Sequence, residues 1–132
     1  MKKRSKSKAT IDIADRVLQD AYRRKYKGEL CEGCGEREFS CMHHHINKSQ
    51  SNYLRFDKIN LIFICSYCHP LISFGKGAQI IARYSVKRGK AWIMKIGELA
   101  KIKRPSYGKK ELEKIITKFE KWKPKKEQST AF

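Results

Sequence analysis

The strongest constraint on this chain is a pair of Cys-x-x-Cys knuckles, Cys31-Glu-Gly-Cys34 and Cys65-Ser-Tyr-Cys68. Each delivers two thiolates from one tight turn, and two such turns separated by roughly thirty residues have the spacing of a tetrahedral zinc site. Gly33 and Gly35 lower the steric cost of the first turn. Four buried free thiols are the competing explanation, but core packing alone gives no reason for a two-residue spacing at both ends. Zinc on Cys31, Cys34, Cys65 and Cys68 would tie the start of the intervening segment to its end and contribute folding energy directly.

All five cysteines and all four histidines of the chain lie between Cys31 and His69. A four-cysteine site uses no imidazole, so His43, His44, His45 and His69 need a second explanation. A second zinc site or a polar strand end is the plain one. Cys41 is the spare thiol; its alternation with Phe39 marks it as a small buried hydrophobe.

With 132 residues the chain has room for one modest core. Its 31 Lys+Arg against 13 Asp+Glu give a formal net charge of +18. A solvated surface would be served as well by mixed charges, whereas this excess costs self-repulsion, so a polyanionic partner is indicated and nucleic acid is the first candidate. Neither terminus reads as a basic amphipathic helix with a long apolar face, the mark of a membrane-surface partner. The odd cysteine count and the metal spacing point to a reducing compartment. No apolar run follows the basic N-terminus, and Leu61–Cys65 is too short to span a bilayer. The expected location is therefore cytoplasmic, the host's cytoplasm if the chain is phage-encoded.

Residues 1–9 read as a basic disordered tail, either solubilising or phosphate-binding, and residues 124–132 as a mobile tail. Between them, residues 10–123 read as one domain. Thr10 or Asp12 is placed to cap a helix running to about Tyr26, with Ala14, Val17, Leu18, Ala21 and Tyr22 on one face and Arg16, Arg23, Arg24 and Lys25 on the other. Phe39–His45 and Asn60–Ile64 read as an antiparallel strand pair joined by a polar loop. Pro70 suits the first position of a brief helix. Further helices are expected over Ala78–Lys87, Lys90–Ile102 and Lys109–Lys123. Their apolar stripes are Ile80, Ile81 and Tyr84; then Trp92, Ile93, Ile96, Leu99 and Ala100; then Leu112, Ile115, Ile116, Phe119 and Trp122.

The order Cys31-Glu-Gly-Cys34-Gly35, His44-His45-Ile46, Leu54-Arg55-Phe56-Asp57, Asn60, Cys65-Ser-Tyr-Cys68-His69 resembles the HNH endonucleases, and most closely the phage recombination proteins of the lambda NinG type. The likeness spans about residues 28 to 103. It implies an α+β fold with a zinc-stabilised ββα-metal core and additional helices, and a metal-dependent endonuclease acting on DNA, branched or recombining DNA included. It implies His44 and His69 as ligands of a catalytic Mg²⁺ or Mn²⁺, His45 as general base, and Asn60 as the residue that orients the base or pins the loop. The three-histidine run leaves the register open between His44/His45 and His43/His44. Many family members carry Asp where His44 stands, and some carry a further histidine where Ser73 stands. Arg55 can contact the DNA backbone or pair with Asp57, and Lys48, Arg23 and Arg24 are further candidates for phosphate contact. A non-catalytic, zinc-stabilised nucleic-acid-binding module is the rival reading. A protein that uses zinc only to fold fits the charge poorly.

Overall fold

The apolar stripe of the first helix closes on the last one. The computed structural model describes residues 6–124, with side chains from residue 10. Helix α1 spans Lys6–Lys25 and helix α5 spans Lys109–Glu120. Ala14, Leu18, Ala21 and Tyr22 of α1 are buried, as are Leu112 and Phe119 of α5. Tyr22 meets Phe119 and Trp122 at centroid distances of 6.2 and 4.9 Å. Arg24 donates from Nε to the Trp122 carbonyl (3.1 Å) and from Nη2 to the Phe119 carbonyl (3.0 Å). It thereby docks on carbonyls at and just beyond the C-terminal end of α5, adding a side-chain donor to the Phe119 carbonyl that already accepts from Trp122 N–H. These segments, residues 6–27 and 105–124, form one compact unit.

Helix α1 begins earlier than its candidate caps. Thr10 and Asp12 lie inside it, because Lys-Ser-Lys-Ala contains no helix breaker and extending a nucleated helix is easy. The expected N-terminal tail is thus partly helical; the rest of it, and residues 125–132 of the C-terminal tail, fall outside the described residues.

Residues Gly28–Arg104 form the second unit. The first knuckle is a miniature hairpin, with Leu30 bridged to Glu38, Cys31 N–H bonded to the Arg37 carbonyl (2.7 Å), and Phe39 N–H bonded to the Glu29 carbonyl (2.9 Å). Strand β1 (Cys41–His44) pairs antiparallel with β2 (Leu61–Ile64), Cys41 opposite Ile64 and His44 opposite Leu61. Both are shorter than the sequence suggests, and Asn60 belongs to a single 3-10 turn, Lys58–Asn60, capped by the Asp57 carboxylate. Helix α2 (Cys68–Ser73) opens from the second knuckle. Pro70 is its third residue rather than its first, still within the turn whose N–H groups have no helical acceptor.

Helices α3 (Ala78–Arg88) and α4 (Lys90–Leu99) follow, hinged at Gly89. Ile62, Ile64, Ile80 and Tyr84 form one buried core with Cys31, Cys65 and Cys68, and Trp92 packs against it. The stripe expected on α4 is only partly inward: Ile96 is buried, whereas Ile93 is 46% exposed. Cys41 is only half-buried, and Met42 is the β1 side chain that enters the core. The described architecture is α+β, a two-stranded sheet among helices. No described helix is long and apolar enough to cross a membrane.

Candidate metal centre and histidine cluster

The two knuckles meet. The four Sγ atoms of Cys31, Cys34, Cys65 and Cys68 lie within 4.8 Å of one another, and Cys34 and Cys65 are 4.0 Å apart. Zn–S bonds of about 2.3 Å put the edges of a tetrahedral S₄ site near 3.8 Å, so the set fits zinc with little movement. Backbone donors already face the sulfurs: Gly33 N–H to Cys31 Sγ at 3.3 Å and Cys68 N–H to Cys65 Sγ at 3.4 Å.

The thiols differ in acidity. Burial opposes ionisation of Cys34, but backbone N–H donors of Glu36 and Arg37 outweigh it and draw the thiol down to about 7. Burial pushes Cys31 and Cys68 up, and at Cys68 the neighbouring Cys65 and Cys31 sulfurs push further. Four adjacent thiolates repel one another, so the full anionic set is compatible only with a cation at its centre. These four cysteines could hold a metal such as zinc.

The knuckle glycines serve two different needs. Gly35 adopts φ +68, where an L side chain is strained. Gly33 is a close-approach position: a Cβ there would lie 2.6 Å from Ile80 Cγ2 and 3.5 Å from the Cys31 and Cys68 sulfurs.

Glu32, between the first two cysteines, had no role in the sequence pattern. Its backbone N–H donates to the Phe63 carbonyl (2.8 Å), and its Oε2 accepts from Phe63 N–H (2.8 Å). Arg88 of α3 grips the same carboxylate with two bonds of 2.7 and 2.8 Å and donates to the Leu61 carbonyl at 2.9 Å. Knuckle, sheet and α3 are thereby fastened at one ion pair. The sequence carries little trace of it, since its partners stand 56 residues apart.

The three consecutive histidines, the last of them just beyond β1, find three different partners. His43 meets His69, at the start of α2, with ring centroids 5.7 Å apart. Two imidazoles sharing one ion through bonds of about 2.1 Å place their centroids roughly 4–6 Å apart. Burial holds His43 down to about 4, helped by the charges of His69, His44 and His45, so it is a neutral donor at neutral pH. His44 Nε2 lies 2.8 Å from the Arg55 carbonyl. A carbonyl only accepts, so Nε2 carries the proton and the neutral ring keeps its lone pair on Nδ1. His45 turns elsewhere: Nδ1 is 2.7 Å from the Tyr84 hydroxyl, and its ring packs 5.0 Å from that of Trp92. Burial and the Arg88 charge lower the His45 pKa, and burial raises Tyr84 to about 12.

Asn60 is fully buried and closes the loop between the strands. Its Oδ1 accepts from Ile46 N–H (2.7 Å) while its Nδ2 donates to the carbonyls of Ile46 (3.0 Å) and Leu54 (3.4 Å). Its own carbonyl accepts from His45 N–H at 2.9 Å. Of the two roles expected for it, loop pinning is the one these bonds perform.

The candidate phosphate contacts fare unequally. Lys48 is exposed on the loop, and Arg55 lies 6.0 Å from the Phe56 ring centroid. Arg23 pairs with Asp20 at 3.1 Å, and Arg24 is engaged with the end of α5. Among the described residues, the four cysteines are the one group of three or more potential ligands gathered around a common centre. Comparison with models of known protein families, with curated proteins and with solved structures returned no match.

Proposed function

We propose that this protein is a metal-dependent endonuclease of the HNH type acting on DNA, with His43 and His69 as ligands of the catalytic ion and His44 as general base. The observation that carries the reading is the pairing of the His43 and His69 rings at 5.7 Å beside a His44 whose tautomer is set by the Arg55 carbonyl. The order of elements supports it: two antiparallel strands, then a helix opening from a cysteine knuckle, as in the ββα-metal core that the sequence resembles. Of the two registers, His43/His44 accounts for the contacts better, because His45 is committed to Tyr84 and Trp92.

His43 and His69 would hold the divalent ion, Mg²⁺ or Mn²⁺ by the resemblance, and it would supply Lewis-acid polarisation of the scissile phosphate. The chain's own residues do the rest. His44 Nδ1 takes the proton of a water as that water attacks phosphorus, and the imidazolium is stabilised through Nε2–H on the Arg55 carbonyl. The P–O bond breaks and the leaving oxygen collects a proton from solvent. Asn60 keeps the Ile46–Leu54 loop, and with it the Arg55 carbonyl, in register. The cysteine site serves the fold.

Plasmid nicking with added Mg²⁺ or Mn²⁺ tests this. His44→Ala should lose about 10²–10⁴ in rate, the usual contribution of a positioned base, while keeping zinc and fold. His43→Ala and His69→Ala should also lose cleavage and recover part of it in excess Mn²⁺. His45→Ala should retain cleavage in its folded fraction. A dead His45→Ala beside a near-normal His44→Ala would return the register to His44/His45. A parent protein that binds DNA but nicks none with any divalent ion would leave the non-catalytic binding module.

A further inference from the structure

The α1–α5 unit carries a second feature that the nuclease reading does not use. Lys110, Lys114, Lys118 and Lys121 line one shallow groove on α5 together with Thr117 and a single acid, Glu113. The spacing of four, four and three residues places them on one helix face, away from the buried Leu112 and Phe119. At 1.5 Å rise per residue the row extends about 16 Å. The helix carries this row against its own interest. Lys110 sits in the first turn, where the helix dipole favours an anion, and Lys110, Lys114 and Lys118 are like-charge neighbours at i,i+4. A face built only for solubility would interleave the signs.

We infer that this lysine row is a phosphate-backbone contact surface for duplex DNA, separate from the histidine cluster. The occupant follows from what the face lacks. A membrane-surface helix needs apolar side chains beside its cations, and none of the exposed large hydrophobic residues of the described chain lies on α5. A lysine is a point charge on a flexible stem, suited to phosphates and unsuited to reading base edges. The contact is therefore sequence-independent. It also takes over the role expected of α1, whose Arg23 and Arg24 hold Asp20 and the end of α5. The inference rests on the reading that the chain acts on DNA, though not on its cleaving it.

The test compares the parent with a variant in which Lys110, Lys114, Lys118 and Lys121 are all changed to Gln, and with the matching all-Arg variant. Binding of a short labelled duplex is followed by fluorescence anisotropy across a salt series, without added divalent ion. Each phosphate neutralised contributes about −0.9 to the slope of log K against log salt, so the Gln variant, with four contacts removed, should lose about 3.6 from the magnitude of that slope. Its affinity at moderate salt should fall at least about tenfold on two unrelated sequences alike. The Arg variant should keep both, and circular dichroism and zinc content should be unchanged in all three. A Gln variant with the parent's slope and affinity overturns the inference while leaving the nuclease reading intact. A parent that binds no duplex overturns both. Loss of binding to phosphatidylserine vesicles by the Gln variant, with duplex binding unaltered, would make the row a membrane contact and also overturn it.

Discussion

Replacing Asn60 with Ala should unfasten the loop between the strands. The side chain is fully buried and makes bonds of 2.7 and 3.0 Å to the N–H and carbonyl of Ile46, with a longer one of 3.4 Å to the Leu54 carbonyl. Truncation removes these and leaves the Ile46 N–H and carbonyl without the partners that Asn60 supplies, while the Leu54 carbonyl keeps the Asp57 N–H at 3.2 Å. A buried group left without a hydrogen bond costs about 1–3 kcal/mol, and local relaxation that admits water recovers some of it. Taking the two short bonds at face value and the long one as marginal gives about 3 kcal/mol. That is a large part of the stability of a domain with a total of about 5–15 kcal/mol. With a urea m-value of about 1–3 kcal/mol per molar, the midpoint should fall by about 1–3 M. Zinc-loaded protein, followed by tryptophan fluorescence, provides the assay. Asn60→Asp should be nearly as harmful, because its second oxygen faces the Ile46 and Leu54 carbonyls, where a donor is required. Amide exchange supplies the local readout, since Ile46 N–H should lose protection before the strands do. A shift under about 0.3 M in both variants, with Ile46 still protected, would refute the reasoning.

Cys34→Ser should lose the metal and, with it, much of the fold, whereas Cys41→Ser should keep both, because Cys41 lies outside the four-sulfur cluster; zinc analysis of purified protein against parent checks this. Arg88→Met strands the Glu32 carboxylate and should cost about 3 kcal/mol by urea unfolding. Adding Glu32→Gln should restore part of that loss, and strictly additive losses would show that the pair is not coupled. His43 is held at about 4 against an ordinary 6.5, so its contribution to stability is full above 6.5 and is lost as pH falls through 4. His43→Gln should therefore show a shallower fall in stability across that window than the parent, and parallel curves would contradict the burial argument.

What was legible in the sequence is what repeats locally. The knuckle spacing foretold that four sulfurs would gather, and the stripes on α1, α3 and α5 foretold Leu18, Tyr84 and Phe119 in cores. What escaped was polar pairing at long range. Nothing in the local pattern links Glu32 to Arg88, His45 to Tyr84, or Arg24 to the end of α5, because each bond depends on where another element comes to rest. The exposed Ile93 shows the converse: a stripe states which residues can be buried, and packing decides which are. Sequence spacing left the histidine register open, because it does not say which distant group each ring will meet.

The pairing of α1 with α5 also sets an order of events during synthesis. Arg24 and its acceptor Phe119 stand 95 residues apart. At about 5–20 residues per second, α1 waits some 5–20 s for its partner to leave the ribosome. Throughout that interval the faces of Leu18, Ala21 and Tyr22 are uncovered, while the contiguous Gly28–Arg104 segment, with all four clustered cysteines, has its own partners at hand. The nascent chain thus passes through a stage in which the cysteine-bearing unit is finished and the first helix is still a sticky, basic leader.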